Sequence, residues 1–347
     1  MRYVLGTSAA TVRAAPLLLV DVETEQGVTG RTYIFCYRKS GARAIAGVLQ
    51  EAAELVAGAP VDPAALGALL ERRYALIGVT GVVRMALSAF DAALWDALAV
   101  AANVPLAVFL GASPKPIPAY NSCGLGLMDR GAVADEAEKL LENGFRALKL
   151  RLGHPTVEED LAVTRAVKQR LPVGVQVMVD YNQALTVEEA LLRGKALDAE
   201  GLAWMEEPIR HDDSAGNARI ANALAMPLQI GENFNGPEGM QAALDARACD
   251  LVMPDVARIG GVTGWLRAAK LAESHGIPMS SHLMPELSAH LLAASPTSHW
   301  LEYVDWADRL LQEPMKIVDG QAILPNRPGT GIAWDAHAVA RYSIPLG

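Results

Sequence analysis

Three short apolar runs of this chain each end in an acidic residue: Val177-Met178-Val179-Asp180, Trp204-Met205-Glu206 and Leu228-Gln229-Ile230-Gly231-Glu232. The intervals from Asp180 to Glu206 and from Glu206 to Glu232 are equal, at about the length of one strand–helix unit. The spacing therefore predicts that the three carboxylates project from the C-terminal ends of consecutive parallel strands, where a (β/α)8 barrel has its active site. Converging carboxylates repel one another unless a cation lies among them, and oxygen-only ligation suits Mg²⁺. One such residue alone would be interpreted as a helix cap, but three at the same phase of the repeat predict a metal site.

Strand and helix patterns alternate regularly through the second part of the chain. The strand candidates lie near residues 117–122, 146–152, 175–181, 203–207, 228–232, 251–256, 278–283 and 300–304. Eight strands separated by helical patterns predict an α/β fold with a (β/α)8-type barrel rather than an open doubly wound sheet. We find no GxGxxG or P-loop motif, which argues against dinucleotide and nucleotide binding.

The first part of the chain has a different pattern. It predicts a β-hairpin over residues 16–37 and then helices over 40–57, 63–76 and 82–102. A Gly- and Pro-rich stretch at 111–118 marks a boundary. We therefore predict three parts: an α+β capping (lid) domain over 1–113, the barrel over 114–311, and a C-terminal tail over 312–347 that packs back on the capping domain.

Length and composition limit the classes of partner. The chain has 347 residues, 51% of them hydrophobic, enough to bury the core of a barrel and a smaller domain. Its net charge of −9 argues against nucleic acid and anionic membranes as partners. We expect neither a signal peptide nor a membrane span, because no sustained apolar segment of the required length occurs. The three cysteines, Cys36, Cys123 and Cys249, are far apart in sequence and fit a reducing cytoplasm.

Other chemically useful residues also fall at predicted strand ends. Lys149 and Arg151 are two residues apart on strand two and so share one face, where cations would suit a carboxylate substrate. A Lys-x-Arg pair on a solvated strand is common, so this pair is weak evidence alone. Asp255 and His282 end strands six and seven, and a carboxylate-oriented imidazole is a standard general base. Glu302 ends strand eight, and burial among anions would keep it protonated by raising its pKa.

Together these groups predict one reaction class. Mg²⁺ would bind a substrate carboxylate while a base removes the weakly acidic α-proton. The resulting enediolate would be held by the metal, by Lys149 and by a hydrogen bond from Glu302, because preorganised positive charge stabilises developing negative charge best.

The order of these residues resembles that of the enolase superfamily, mandelate racemase subgroup. The closest resemblance lies in Val179-Asp180-Tyr181-Asn182-Gln183 and in residues 254–265 and 279–294. It extends over essentially the whole chain and is strongest from about 146 to 304. The resemblance implies a capping domain over the barrel, Mg²⁺ on the three strand-end carboxylates, and a homo-oligomer, with an octamer suspected.

The same resemblance implies roles for individual residues. Lys149 and Ser122 would contact the substrate carboxylate, and Asn182 would lie beside the metal. The Asp255–His282 pair would be the base on one face, and Glu302 would be the carboxyl donor. The substrate pocket would be apolar and lined by residues that include Tyr37 and Leu283, together with Leu5, Val12, Phe35 and Val304.

Two departures from the subgroup pattern matter. Racemisation needs proton-transfer groups on both faces of the substrate, and the racemase has a second lysine where this chain has Arg151. An arginine keeps its proton at neutral pH, so Arg151 is a poor base. The chain also begins about where the first strand of the family should end, so either an earlier start or a capping sheet with one strand fewer is expected.

Three functions remain open from the sequence. The leading one is α-proton abstraction from a 2-hydroxycarboxylate by a mandelate racemase-like enzyme. The alternative is an acid-sugar dehydratase in which His282 also protonates the leaving hydroxyl, so that one face suffices. An apolar pocket favours the first, and a polyol pocket would need more polar side chains. The least favoured function is a non-catalytic binding protein.

Overall fold

The computed structural model describes residues 1–8 and 10–346, and its first part is a small α+β unit. Its strands are β1 (Leu5–Gly6), β2 (Thr11–Val12), β3 (Leu17–Glu23) and β4 (Thr29–Phe35), and its helices are α1 (Lys39–Val56), α2 (Pro63–Tyr74), α3 (Gly81–Ala101) and α4 (Leu106–Phe109). β3 and β4 form the predicted antiparallel hairpin, and the three predicted helices match α1 to α3 within two residues at each end.

The long helix α3 packs directly on the hairpin. A Cβ atom on Gly30 of β4 would lie only 1.9 Å from the carbonyl oxygen of Ala93 in α3. Only glycine allows the two backbones to approach this closely. A buried acid of α3, Asp96, also accepts a hydrogen bond of 2.7 Å from the backbone N–H of Arg31, which fixes the helix against β4.

The second part is the predicted (β/α)8-type barrel. Its strands are β5 (Ile117–Asn121), β6 (Ala147–Arg151), β7 (Gln176–Asp180), β8 (Met205–Glu206), β9 (Leu228–Ile230), β10 (Leu251–Val252) and β11 (Leu301–Tyr303). Neighbouring strands from β5 to β10 pair in parallel, and β11 pairs in parallel with β5. The barrel helices are α5 (Arg130–Lys139), α6 (Val157–Arg170), α7 (Val187–Leu197), α8 (Ser214–Ala223), α9 (Gly236–Asp245), α10 (Val256–Ile259), α11 (Gly261–His275) and α12 (Pro285–Ala293).

The seventh strand position differs from the prediction. Instead of a continuous strand over 278–283, the chain makes isolated bridges from Met279 to Val252 and Ser298 and from His282 to Asp255. Leu283 and Met284 then adopt positive φ angles of 51° and 48°, which ends the extended conformation and turns the chain into α12. The ladder is short, but His282 still lies beside the strand end that carries Asp255.

The tail contacts both earlier parts. It contains β12 (Lys316–Val318), β13 (Gln321–Ile323) and α13 (Ala336–Tyr342), and β13 pairs antiparallel with β5 of the barrel. Thr330 donates to Asp96 of α3 through both its backbone N–H (2.6 Å) and its hydroxyl (2.8 Å). Trp334 donates to Asp21 of β3. The tail therefore joins the barrel to the capping unit.

The helices of residues 1–8 and 10–346 are all too short or too polar to cross a membrane. Cys36, Cys123 and Cys249 are buried free thiols.

Candidate active site

The barrel brings the predicted metal-ligating residues to one end. Asp180 is the last residue of β7 and lies in register with Glu206, the last residue of β8. Glu232 follows β9 by two residues. Asp180 and Glu206 are buried, whereas the Glu232 side chain keeps 16% of its surface exposed. The regular spacing in sequence therefore does correspond to neighbouring strand ends.

Lys149 of β6 lies among these carboxylates. Its ammonium is 2.5 Å from Glu206 Oε1, 2.7 Å from Glu302 Oε1 and 3.4 Å from Asp180 Oδ2. Burial opposes the charge on Lys149, but Glu206 and Glu302 outweigh it and raise its pKa well above the ordinary value. Lys149 is therefore a fixed cation.

Negative charge around Lys149 exceeds what one ammonium can balance. Burial raises the pKa of Glu206 to about 8 even though Lys149 opposes the shift, since Asp180 and Glu302 add repulsion. The second oxygen of Glu206 accepts from the indole N–H of Trp204 at 3.2 Å. The excess negative charge of these carboxylates would be stabilised by a further cation.

The donor set fits a hard divalent cation, although its members are engaged with the protein's own cations. Asp180, Glu206 and Glu232 offer only oxygen donors, which suits Mg²⁺. The buried Oδ1 of Asn182, whose Nδ2 donates to Asp180 at 3.1 Å, has no hydrogen-bond partner and adds one more free oxygen beside them. Across the described part of the chain, no three His, Cys, Asp or Glu side chains are already gathered into a metal-binding group. The physical reason is that Lys149 lies between Asp180 and Glu206.

His282 and Asp255 form the predicted pair. Asp255 Oδ2 lies 2.6 Å from His282 Nδ1, and Asp255 Oδ1 accepts from the N–H of Ala257 as the N-cap of α10. The capping bond fixes the carboxylate, which in turn fixes the imidazole. His282 Nε2 points toward Glu232 Oε2 at 3.1 Å, into the carboxylate cluster. Burial opposes protonation of His282, but Glu232 and Glu302 raise its pKa well above the ordinary value.

Glu302 differs from the sequence-based expectation of a protonated carboxyl. Its Oε1 accepts from Ser122 Oγ and Lys149, both at 2.7 Å, and its Oε2 accepts from the N–H of Leu283 at 2.9 Å. Burial would raise its pKa, but Lys149 and His282 lower it to about 2. In this arrangement Glu302 is a carboxylate, because the neighbours that reach it are donors and cations rather than anions.

Arg151 holds the loop that follows β5. Its Nη1 donates to the carbonyls of Ser122 (2.8 Å), Gly124 (3.1 Å) and Lys149 (3.3 Å), and its Nη2 donates to Ser122 Oγ at 2.8 Å. The guanidinium is buried, and four protein oxygens accept its hydrogen bonds. Its contacts are those of an anchoring group, through which Ser122 is held against Glu302.

An apolar wall lies next to the Asp255–His282 pair. Phe35 and Tyr37 of the capping unit stack at 4.3 Å and face a small cavity that Leu283 and Met284 close from the barrel side. Ser8, which follows β1, reaches the same barrel end, where its Oγ donates to the carbonyl of Tyr181 at 2.6 Å. Leu5 and Val12 pair within that short hairpin, and Val304 is buried.

The contacts join all of the predicted site residues into one network, with Tyr37 connected through Arg258. The network also includes residues that were not predicted, among them Glu207, Asn233 and Arg258. Strand alternation places Glu207 on the face opposite to Glu206, but its positive φ of 32° turns it toward the loop after β9. Arg258 could have been predicted from the sequence, because it follows Asp255 by three residues, about one helical turn.

Comparisons with known proteins agree with this architecture. Residues 132–338 match the family model of the enolase C-terminal domain-like group, and residues 2–111 match that of the mandelate racemase/muconate lactonizing enzyme N-terminal domain. The chain therefore belongs to the mandelate racemase/muconate lactonizing enzyme family of the enolase superfamily, and it is an enzyme of that family.

Individual relatives cover nearly the whole chain. An enolase from the alpha proteobacterium BAL199 with bound magnesium is 43% identical with a TM-score of 0.96, covering 98% of this chain and 95% of that one. An enolase from Bradyrhizobium, complexed with magnesium and mandelic acid, is 37% identical with a TM-score of 0.95, covering 99% and 95%. L-talarate/galactarate dehydratase of Salmonella typhimurium is 30% identical, covering 93% of this chain and 81% of the relative.

Proposed function

We propose that this enzyme uses Mg²⁺ and His282 to remove the α-proton of a 2-hydroxycarboxylate that carries an apolar substituent. The observation that carries the proposal is the Asp255–His282 pair at 2.6 Å, whose Nε2 points into the cluster formed by the strand-end carboxylates and Lys149. The two structural relatives with bound magnesium support the choice of cation.

Each residue then has a defined task. Asp180, Glu206 and Glu232 would hold the metal ion, which when bound supplies positive charge beside the substrate carboxylate and so acidifies the α-proton. His282 Nε2 would accept that proton once positive charge among the three carboxylates offsets their effect on its raised pKa, while Asp255 on Nδ1 keeps the imidazole oriented.

Other members stabilise the negative charge that develops on the substrate. Lys149 and Ser122 would contact the substrate carboxylate, Asn182 would lie beside the metal, and Arg151 would hold Ser122 in place. Lys149 and His282 lower the pKa of Glu302, so its task as a carboxyl donor requires a proton taken up with the substrate.

The substituent is inferred from the wall beside His282. Phe35, Leu283 and Met284 offer no hydrogen-bonding side chains to the cavity that they line with Tyr37, Asp255 and Arg258. These three polar groups are already engaged, Tyr37 with Arg258 and Asp255 with His282, so burying an apolar group there is favoured over burying a polyol. The mandelic acid bound by the Bradyrhizobium relative is a substrate-sized molecule of this kind.

Dehydration of an acid sugar is the second candidate. The dehydratase relative supports it, and so does the engagement of Arg151 with Ser122 and Gly124, because a one-sided proton transfer at His282 suffices for elimination. A homo-oligomer stays a prediction from the family resemblance.

The test is incubation of the enzyme in D₂O with Mg²⁺ and a panel of 2-hydroxy acids and acid sugars. Deuterium at the α-carbon without 2-keto acid supports the first candidate, and 2-keto acid from an acid sugar supports the second. Neither product from any member, with the metal bound, would refute both.

A further inference from the structure

A continuous set of contacts runs from the capping unit to the loop that carries Glu232. Tyr37, at the end of the capping hairpin, accepts a hydrogen bond of 2.6 Å from Nη2 of Arg258 through its hydroxyl. The guanidinium carbon also lies 5.0 Å from the centroid of the Tyr37 ring. Arg258 belongs to α10, the short helix that Asp255 caps. The capping unit and the catalytic pair are therefore connected through one side chain.

The other guanidinium nitrogen reaches the metal-ligand loop. Arg258 Nη1 donates to the backbone carbonyl of Glu232 at 2.8 Å and to Asn233 Oδ1 at 2.6 Å. Because Oδ1 of Asn233 accepts from Arg258, its Nδ2 must point the opposite way. That Nδ2 donates to Glu207 Oε2 at 2.8 Å and to Glu232 Oε1 at 3.1 Å. Arg258 thus sets the orientation of the amide that separates two carboxylates.

The capping end of the contact has a costly backbone conformation. Tyr37 has a φ of 59°, and the N–H of Arg38 donates to the carbonyl of Cys36 across it. A non-glycine residue in this region is strained and persists where its surroundings hold it. Tyr37 is also 44% exposed, so its packing against Phe35 is incomplete. Its hydroxyl accepts a hydrogen bond from Arg258, which helps to hold the residue in place.

We propose that Arg258 is a positioning residue that aligns Glu232 for metal binding and couples that alignment to its contact with Tyr37 of the capping unit. The inference rests on the proposed function, because it takes Glu232 as a metal ligand. Without Arg258, the carbonyl of Glu232 and the amide of Asn233 lose their fixed donor. The carboxylates of Glu207 and Glu232 would then lose the amide that lies between them.

The experiment measures Mn²⁺ binding to the substrate-free enzyme by electron paramagnetic resonance, because Mn²⁺ accepts the same oxygen ligands as Mg²⁺. Residues that orient a metal ligand typically change affinity by about 10- to 100-fold when replaced. We therefore expect Arg258→Met to weaken Mn²⁺ binding by about tenfold or more. Tyr37→Phe, which removes the hydroxyl acceptor, should weaken it by less.

The double variant tests whether Tyr37 acts through Arg258. It should bind Mn²⁺ no more weakly than Arg258→Met alone, because the Tyr37 hydroxyl has no partner once the guanidinium is gone. Arg210→Met is the matched control, since Arg210 is an exposed arginine that forms an ion pair with Asp212 and with no other charged group in residues 1–8 and 10–346. If Arg258→Met does not fold, Arg258→Lys with Tyr37→Phe provides the same cycle.

Two results would overturn the inference: unchanged Mn²⁺ affinity in Arg258→Met, or additive effects of the two substitutions. Glu206→Gln separates this failure from failure of the proposed function. If Glu206→Gln loses Mn²⁺ while Arg258→Met retains it, only the positioning role of Arg258 is wrong. If Glu206→Gln binds Mn²⁺ like the parent enzyme, the metal assignment itself is wrong.

Discussion

Replacing Arg151 with lysine should destabilise the enzyme while leaving proton abstraction by His282 in place. The guanidinium makes four hydrogen bonds to Ser122, Gly124 and the Lys149 carbonyl. A single ammonium on a shorter side chain cannot span this set, and we expect about two of the bonds to be lost. At about 1.5–3 kcal/mol for each bond to a charged donor, the loss is about 3–6 kcal/mol.

Thermal unfolding measures this cost. The melting temperature of Arg151→Lys should fall by about 6–24 °C, given about 2–4 °C per kcal/mol in domains of 150–250 residues. Arg146→Lys is the matched control, because Arg146 directly precedes the same strand and is exposed. It should melt like the parent enzyme.

The same variant tests the chemistry. Lys149 lies two residues away and disfavours a second charge, so the introduced lysine should release a proton near neutral pH more readily than arginine does. Chiral analysis of product in D₂O should show more racemisation than the parent enzyme, with exchange on the His282 side retained. An unchanged melting temperature would refute the anchoring role. The opposite result would be a parent enzyme that racemises mandelate rapidly and an Arg151→Met variant that fails with only one enantiomer. That result would show that Arg151 acts as a base.

Three further predictions concern Asp91 of α3, the metal-ligating carboxylates and the Asp255–His282 pair. Burial raises the pKa of Asp91 from 3.8 to about 7, so the free energy of unfolding of the parent enzyme should fall as pH rises through that range. The amide of Asp91→Asn can still bond to Thr263, so this variant should lose less stability when unfolding is followed from pH 4 to 8. Glu206→Gln, or treatment with EDTA, should abolish turnover measured with saturating substrate, while far-ultraviolet circular dichroism stays that of the folded protein. His282→Asn should stop α-deuterium exchange. Asp255→Asn should only slow the exchange, since its imidazole remains but is less well oriented. Exchange at the parent rate in His282→Asn would show that another residue is the base.

The barrel and its ligand positions were predictable because they depend on a repeat. One strand–helix unit separates Asp180 from Glu206, so equal spacing is enough to place both carboxylates in register. The capping hairpin and helices were predictable for a similar reason, since their apolar periods are local. The seventh strand was predicted as continuous, and the structure has only isolated bridges there, because the positive φ angles of Leu283 and Met284 are not visible in an apolar pattern.

The ionisation of the site could not be predicted from spacing. The sequence placed Glu302 among anions and so predicted a protonated carboxyl, whereas the fold places it against Lys149, Ser122 and the N–H of Leu283. Whether a buried acid gains or loses a proton depends on which charges converge on it in space. The contacts of Arg258 with Tyr37 likewise join positions far apart in the chain.

Two features of the site point toward different reactions, and together they narrow the substrate. Phe35 and Leu283 form an apolar wall, which favours an apolar substituent. Arg151 is engaged with Ser122, which leaves His282 as the base that the described residues orient. One-sided proton transfer gives exchange with retention or elimination of a β-hydroxyl group, but not racemisation. Mandelate has no β-hydroxyl group to eliminate, and a fully hydroxylated acid sugar such as galactarate has no apolar substituent to bury. If the proposed function holds, a 2,3-dihydroxycarboxylate with an apolar end meets both constraints, and we propose its dehydration to a 2-keto acid, with loss of water, as the reaction that fits both the apolar residues and Arg151.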